Sequence, residues 1–238
     1  MHIADSVALV TGASRGLGRH FVTQLLERGA TKVYATARNP ERVDLPGAEV
    51  LRLDITDPVS VAAVAKAASD VTLLVNNAGI NTINNLVNGD LDQIQLEMDT
   101  AYYGPLRMIR AFAPILEAGG GGAIVNVLSA ASWVPSEYWG AYSAAKAAAW
   151  SMTNSVRLEL SRQNTLVTGV YLGPTDTDLA QGLSFPFELN DPADVVRAAL
   201  DGVEAKQSEV IADGLSARAK ANLALDPAVV YTPAAATA

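Results

Sequence analysis

The stretch SVALVTGASRGLG, Ser6–Gly18, decides the fold. Ser6–Thr11 is a short apolar run that reads as a buried β-strand. Gly18–Gly29, GRHFVTQLLERG, follows as a helix closed by a glycine. Between them glycines stand at 12, 16 and 18, in the order G-x-x-x-G-x-G. Glycine permits a tight turn and a close backbone approach. The free N–H groups opening the next helix then suit a pyrophosphate. An ordinary glycine-rich turn has the same composition, but the place after a first strand favours a dinucleotide.

The same alternation continues along the chain. Strands are expected at Lys32–Ala37, Ala48–Asp54, Val71–Asn76, Ala123–Leu128, Thr165–Leu172 and Ser208–Ala212. Helices are expected from Pro58 to about Ser69, within Asp90–Ala118 as one or two pieces, over Ala141–Ser161, and after Asp191–Pro192. Asp57–Pro58 and Asp191–Pro192 are both an N-cap followed by proline at the first helical position. Buried strands alternating with helices imply an α/β fold, a Rossmann-like doubly wound parallel sheet with helices on both faces. No repeat or shift in composition divides the 238 residues, so one domain over 1–238 is expected, with a loose tail at about 231–238.

Composition narrows the function. The net charge is −8, which disfavours nucleic-acid binding through a basic face. There is no cysteine, and His2 and His20 are not in a metal-ligand spacing, so no metal site is expected. No run of about 20 apolar residues suggests a membrane span, and the basic start of a secretory leader is missing. A cytoplasmic protein without membrane or nucleic-acid partners is the simplest expectation.

Two further features bear on chemistry. The second strand ends Ala37–Arg38, where a site preferring NAD usually carries an acid for the ribose hydroxyls. The guanidinium of Arg38 suits a 2′-phosphate instead, with Arg15 as a second clamp, so NADP(H) is favoured over NAD(H). Both arginines are also compatible with plain surface positions. Tyr142 and Lys146 are four apart in AYSAAKAAAW, Ala141–Trp150, and share a helix face. A neighbouring ammonium favours a phenolate and should lower the tyrosine pKa, as an acid–base group near neutral pH requires. A surface tyrosine packed along a lysine stem has the same spacing.

Taken together, TGASRGLG (Thr11–Gly18), LDITD (Leu53–Asp57), NNAG (Asn76–Gly79) and YSAAK (Tyr142–Lys146), with Ser129 thirteen residues before the tyrosine, resemble the classical short-chain dehydrogenase/reductase family. The likeness runs to about Thr177. It implies that Gly12, Ser14, Arg15, Gly16, Leu17 and Gly18 form the phosphate and ribose loop. It implies adenine contacts from Asp54 and Ile55, and a place beside the adenosine ribose for Asn77, Ala78 and Gly79. By the same likeness Ser129 binds the substrate carbonyl, Tyr142 is the acid–base, and Lys146 lowers the tyrosine pKa and holds the nicotinamide ribose. Asp54 and Ser129 also suit strand-end caps, and NNAG also suits a sheet brace.

Two departures stand out. The family usually has an asparagine where Ala101 lies in AYYG, Ala101–Gly104, and alanine cannot take part in its proton relay. After the sixth strand LGPTDT, Leu172–Thr177, carries Leu172 for the usual proline, while Thr175 and Thr177 remain to reach the nicotinamide amide. Helix N-capping is the other use for Thr177.

The segment at about 176–190 falls where the family keeps a substrate lid, and Leu179, Leu183, Phe185 and Phe187 make it apolar. Trp133, Tyr138 and Trp139 are placed to form the opposite wall. A hydrophobic ketone or aldehyde, with an aromatic one as the particular candidate, is therefore expected. Packing in a core or a subunit contact is the competing use of these aromatics. The alanine-rich helix and the one before it suggest a homodimer or homotetramer. The expected protein is an NADP(H)-dependent carbonyl reductase or alcohol dehydrogenase. A low-turnover NADP(H)-binding sensor or scaffold, or a C=N reductase, are the alternatives.

Overall fold

The computed structural model describes residues 1–186 and 188–231. Phe187 of the expected lid, and all but Tyr231 of the expected loose tail, lie outside the described residues.

The strands are β1 (Val7–Thr11), β2 (Lys32–Ala37), β3 (Glu49–Arg52), β4 (Leu73–Asn76), β5 (Gly122–Val127), β6 (Thr165–Tyr171) and β7 (Glu209–Ile211). They form one parallel sheet in the order β3-β2-β1-β4-β5-β6-β7. The helices are α1 (Gly16–Glu27), α2 (Pro58–Ala67), α3 (Leu91–Met98), α4 (Gly104–Ala118), α5 (Gly140–Glu159), α6 (Pro192–Glu204), α7 (Gly214–Ala221) and α8 (Pro227–Val230).

Strand alternation sorts the core into two layers. Ala8 and Val10 of β1 pack with Phe21 and Leu25 of α1 and Val196 and Leu200 of α6. Leu9 points the other way, into Val64 of α2, Met108 and Phe112 of α4, and Met152 and Val156 of α5. The doubly wound sheet expected from the alternation is what forms. Both expected caps form as well: Asp57 accepts from the Val59 N–H, and Asp191 from the Ala193 N–H.

The sheet order reverses between β1 and β4. The chain leaves these neighbouring strands towards opposite sides, so a crevice opens beyond their C-terminal ends. Three features were not foreseen. The helical stretch before β5 contains a π-helical turn, Asp99–Tyr103, joining α3 to α4. Helices α7 and α8 follow the last strand. GLSARAKA carries no apolar stripe, and only Ser216 and Ala219 of α7 are buried, so periodicity had little to register.

Candidate active site

The crevice floor is built from backbone. Gly12 has a φ of +69°, and a Cβ there would lie 2.9 Å from the Cα of Ala78. A Cβ on Gly18 would lie 2.1 Å from the carbonyl oxygen of Gly12. The two strand ends are laced together here. The Thr11 hydroxyl accepts from the N–H groups of Asn77 (2.9 Å) and Ala78 (3.0 Å). The Asn77 side chain donates to the Thr11 carbonyl at 2.9 Å. NNAG therefore does brace the sheet, as one of its two expected uses required.

From this floor a cavity of about 850 Å³ runs to the segment around Phe185. It brings together Gly12, Ser14, Arg15, Gly16, Leu17, Arg38, Asp54, Ile55, Asn77, Ala78 and Gly79. Ser129, Tyr142, Lys146, Thr175 and Thr177 line its middle, and Trp139, Leu179, Leu183 and Phe185 its far end. These positions are scattered over most of the sequence. Gly18 is the one member of the glycine loop that packs beneath the floor and does not line it.

At the β2 end, Arg38 and Asp54 share the rim. Burial disfavours the Asp54 carboxylate. The Thr56 hydroxyl and N–H, with the charges of Arg38 and Arg52, outweigh it and hold its pKa below the usual value. Asp54 accepts from both Thr56 groups, at 2.7 and 2.9 Å, so it is a turn cap as well as a wall residue. Arg15 is paired with Asp178 at 3.2 Å, tying the glycine loop to the start of the expected lid.

In the middle of the cavity, Ser129 directly follows Leu128 beyond β5, and its Oγ accepts from the Ala131 N–H at 3.1 Å. Tyr142 and Lys146 lie on one face of α5. The Lys146 Nζ donates to the Val127 carbonyl at 2.8 Å and sits 5.6 Å from the Tyr142 ring centre. Burial pushes the tyrosine up to about 12, Ser129 pulls it down, and the Glu97 charge raises it further. This is opposite to the expected lowering, because burial outweighs the Ser129 hydrogen bond. Burial likewise brings Lys146 down to about 8, against the opposing pull of Glu97.

Ala101 lies in the π-helical turn and is buried. It borders a cavity of about 10 Å³, the size of one water, together with Lys146, Asn76 and Asn126. Thr175 is buried and bonds the Gly173 carbonyl at 3.0 Å. Thr177 caps no helix: its hydroxyl donates to the Thr175 carbonyl at 3.3 Å, and its carbonyl accepts a turn bond from Ala180.

At the far end the ring of Trp139 lies 5.6 Å from that of Phe185. Trp133 does not line the cavity. That indole is 4% exposed and stacks on Tyr171 at 4.1 Å, so it belongs to the core under α7. Aromatic burial decided between its two expected uses. Leu215, Arg218 and Asn222 also line the cavity and were missed, since they come from the unforeseen C-terminal helical segment. Glu97, fully buried in α3, was missed too, and no periodicity marks it. No cluster of potential metal ligands exists among the described residues, and none of their helices is long and apolar enough to cross a membrane.

The arrangement has known counterparts. The model of the short chain dehydrogenase family matches residues 6–185. A short chain dehydrogenase from Burkholderia cenocepacia, solved in complex with NADP, superposes with a TM-score of 0.93 at 39% identity, over 98% of this chain and 100% of that one. A short-chain dehydrogenase from Sphingobium yanoikuyae, solved with NADPH, has a TM-score of 0.81 at 27% identity, over 98% of each chain. The NADPH-dependent 1-acyldihydroxyacetone phosphate reductase of Schizosaccharomyces pombe is 35% identical over 185 residues. That alignment takes in 74% of this chain and 62% of the relative's length. The chain belongs to the short chain dehydrogenase family.

Proposed function

We propose that the protein is an NADP(H)-dependent carbonyl reductase or alcohol dehydrogenase, acting on a hydrophobic ketone or aldehyde with Tyr142 as the acid–base. The observation that carries this reading is the convergence of Ser129, Tyr142 and Lys146 on the same cavity as the glycine floor. A Cβ at Gly12 or Gly18 would meet neighbouring chain within 3 Å, so the glycines let the strand end and helix start pack closely, and the loop that lines the cavity presents backbone to a pyrophosphate. Arg38 at the β2 end supplies a cation for a 2′-phosphate, and the NADP(H) complexes of the relatives support the same choice.

When bound, the nicotinamide supplies a hydride to the carbonyl carbon. The chain's own groups handle the oxygen. The hydroxyls of Ser129 and Tyr142 hold it and stabilise the charge that develops there. Tyr142, a phenol at neutral pH, gives up the proton. The Lys146 ammonium steadies the phenolate that remains. Oxidation of an alcohol runs the same steps in reverse.

The wall formed by Trp139, Leu179, Leu183 and Phe185 supports an apolar substrate. Self-association belongs to the same reading. The outer stripe of α5, Ala144, Ala148, Ser151, Ser155 and Leu158, lets a second helix approach closely, and Leu158 is 77% exposed. A monomeric mass at micromolar concentration would remove that part.

The test is NADPH consumption over graded aromatic and aliphatic ketones, with NADH and Tyr142→Phe in parallel. Reduction that needs NADPH and vanishes in the variant is expected. Tight NADPH binding without reduction of any ketone would favour a sensor or scaffold. A preference for charged sugars would reject the apolar substrate.

A further inference from the structure

Glu97 is the group the chemistry above leaves unused. It lies in the last turn of α3, with its side chain fully buried. One carboxylate oxygen accepts from the Thr82 N–H at 2.5 Å, and the other has no hydrogen-bond partner. An unpaired buried carboxylate costs several kcal/mol unless a charge compensates it. Lys146 has the complementary problem. It is 7% exposed, its one hydrogen bond goes to a carbonyl, and no carboxylate lies within 4.0 Å of it among the described residues. Helix α3 packs on α5, so the two charges share one interior.

Each acts on the other. Burial raises the Glu97 pKa and lowers that of Lys146; the Thr82 N–H and hydroxyl, and then Lys146, pull Glu97 back down, and Glu97 pulls Lys146 back up. Among the described residues, Lys146 is the cation whose charge opposes burial at Glu97, and Tyr142 also feels the Glu97 charge. In the following turn Asp99 lies 3.7 Å from Arg107, which engages its charge elsewhere. Ala101, one helical turn after Glu97, contributes no polar side-chain atom.

We infer that Glu97 is a positioning residue of the active site, whose buried carboxylate is the counter-charge that keeps Lys146 an ammonium beside Tyr142. This rests on the reading of Tyr142 and Lys146 as the acid–base pair. A purely structural Glu97 would need only the oxygen that holds the Thr82 N–H. Glutamine supplies that oxygen without the charge, so the two roles separate experimentally.

The protonation of Lys146 is read without any substrate. The whole protein is carbamylated with cyanate, which reacts with the neutral amine, and the extent at Lys146 is followed by mass spectrometry across pH. In Glu97→Gln the labelling midpoint should fall by about one pH unit. In Glu97→Asp, which keeps the charge, it should stay near the wild-type midpoint. The high-pH limb of NADPH-dependent reduction should move down with the Gln midpoint, while the affinity for NADPH stays within about twofold. Superimposable labelling curves for wild type and Glu97→Gln would overturn the inference. So would an Asp variant that shifts as the Gln variant does. Inactivity towards every ketone would reject the proposed reaction and leave the labelling result to decide Glu97 alone. Should Glu97→Gln fail to fold, Glu97→Met, which also removes the charge, takes its place, and an unshifted midpoint there would overturn the inference.

Discussion

At the glycine end of the cavity, space is set by main chain: Gly12 against Ala78, Gly18 against Gly12, and Asn77 tied to the end of β1. At the lid end, space is set by side chains on irregular chain. Leu183 and Phe185 are half-buried, and Leu179 is 44% exposed. At Gly12 and Gly18 an added methyl group would meet atoms within 3 Å, so these two positions tolerate almost no change. The second has room to repack. Under the proposed reading the cofactor takes the rigid end and the substrate the adaptable one.

Substitutions can break or sharpen that contrast. Gly18→Ala should do the most damage, because its Cβ meets backbone at 2.1 Å and a strand end cannot withdraw. A loss of about 3 kcal/mol in urea unfolding is expected. A near-neutral result would show that the floor is not rigid. Next comes pH. Burial holds Lys146 at about 8, so its ammonium is present below that pH and lost above it. Reduction should be flat below about pH 8 and fall roughly tenfold per unit above it, read as kcat against pH at saturating NADPH. Arg38→Leu should raise the KM for NADPH about tenfold and leave that for NADH unchanged. An equal change for both cofactors would remove Arg38 from the 2′-phosphate. Smallest of all, Leu183→Ala should raise the KM for an apolar ketone about threefold with no change in unfolding midpoint. A larger loss of stability than of affinity would make the lid end structural, and the contrast would fail.

How much could be read from residues alone follows the same division. Strand alternation, the glycine spacing and the Asp–Pro caps are local signals, and they placed the sheet, the floor and α5 correctly. Ser129, Tyr142 and Lys146 were singled out by the family resemblance, and the structure places them at the end of β5 and on one face of α5, lining one cavity. Trp133 was not, since an indole suits a wall or a core equally until Tyr171 is brought against it. The tyrosine pKa ran the wrong way because burial is a tertiary property that i, i+4 spacing does not contain. Arg218 and Glu97 stayed hidden for related reasons. One sits on a helix without an apolar stripe, and the other is a carboxylate buried where an exposed residue is the ordinary expectation.

The central claim is that Tyr142 moves the proton while the glycine floor holds the cofactor. The most direct measurement compares Tyr142→Phe with the wild type: the dissociation constant for NADPH by fluorescence, and single-turnover reduction of a ketone the wild type accepts. The account predicts unchanged NADPH affinity and a rate lower by about a thousandfold. A variant that binds NADPH normally and reduces the ketone at the wild-type rate would contradict it.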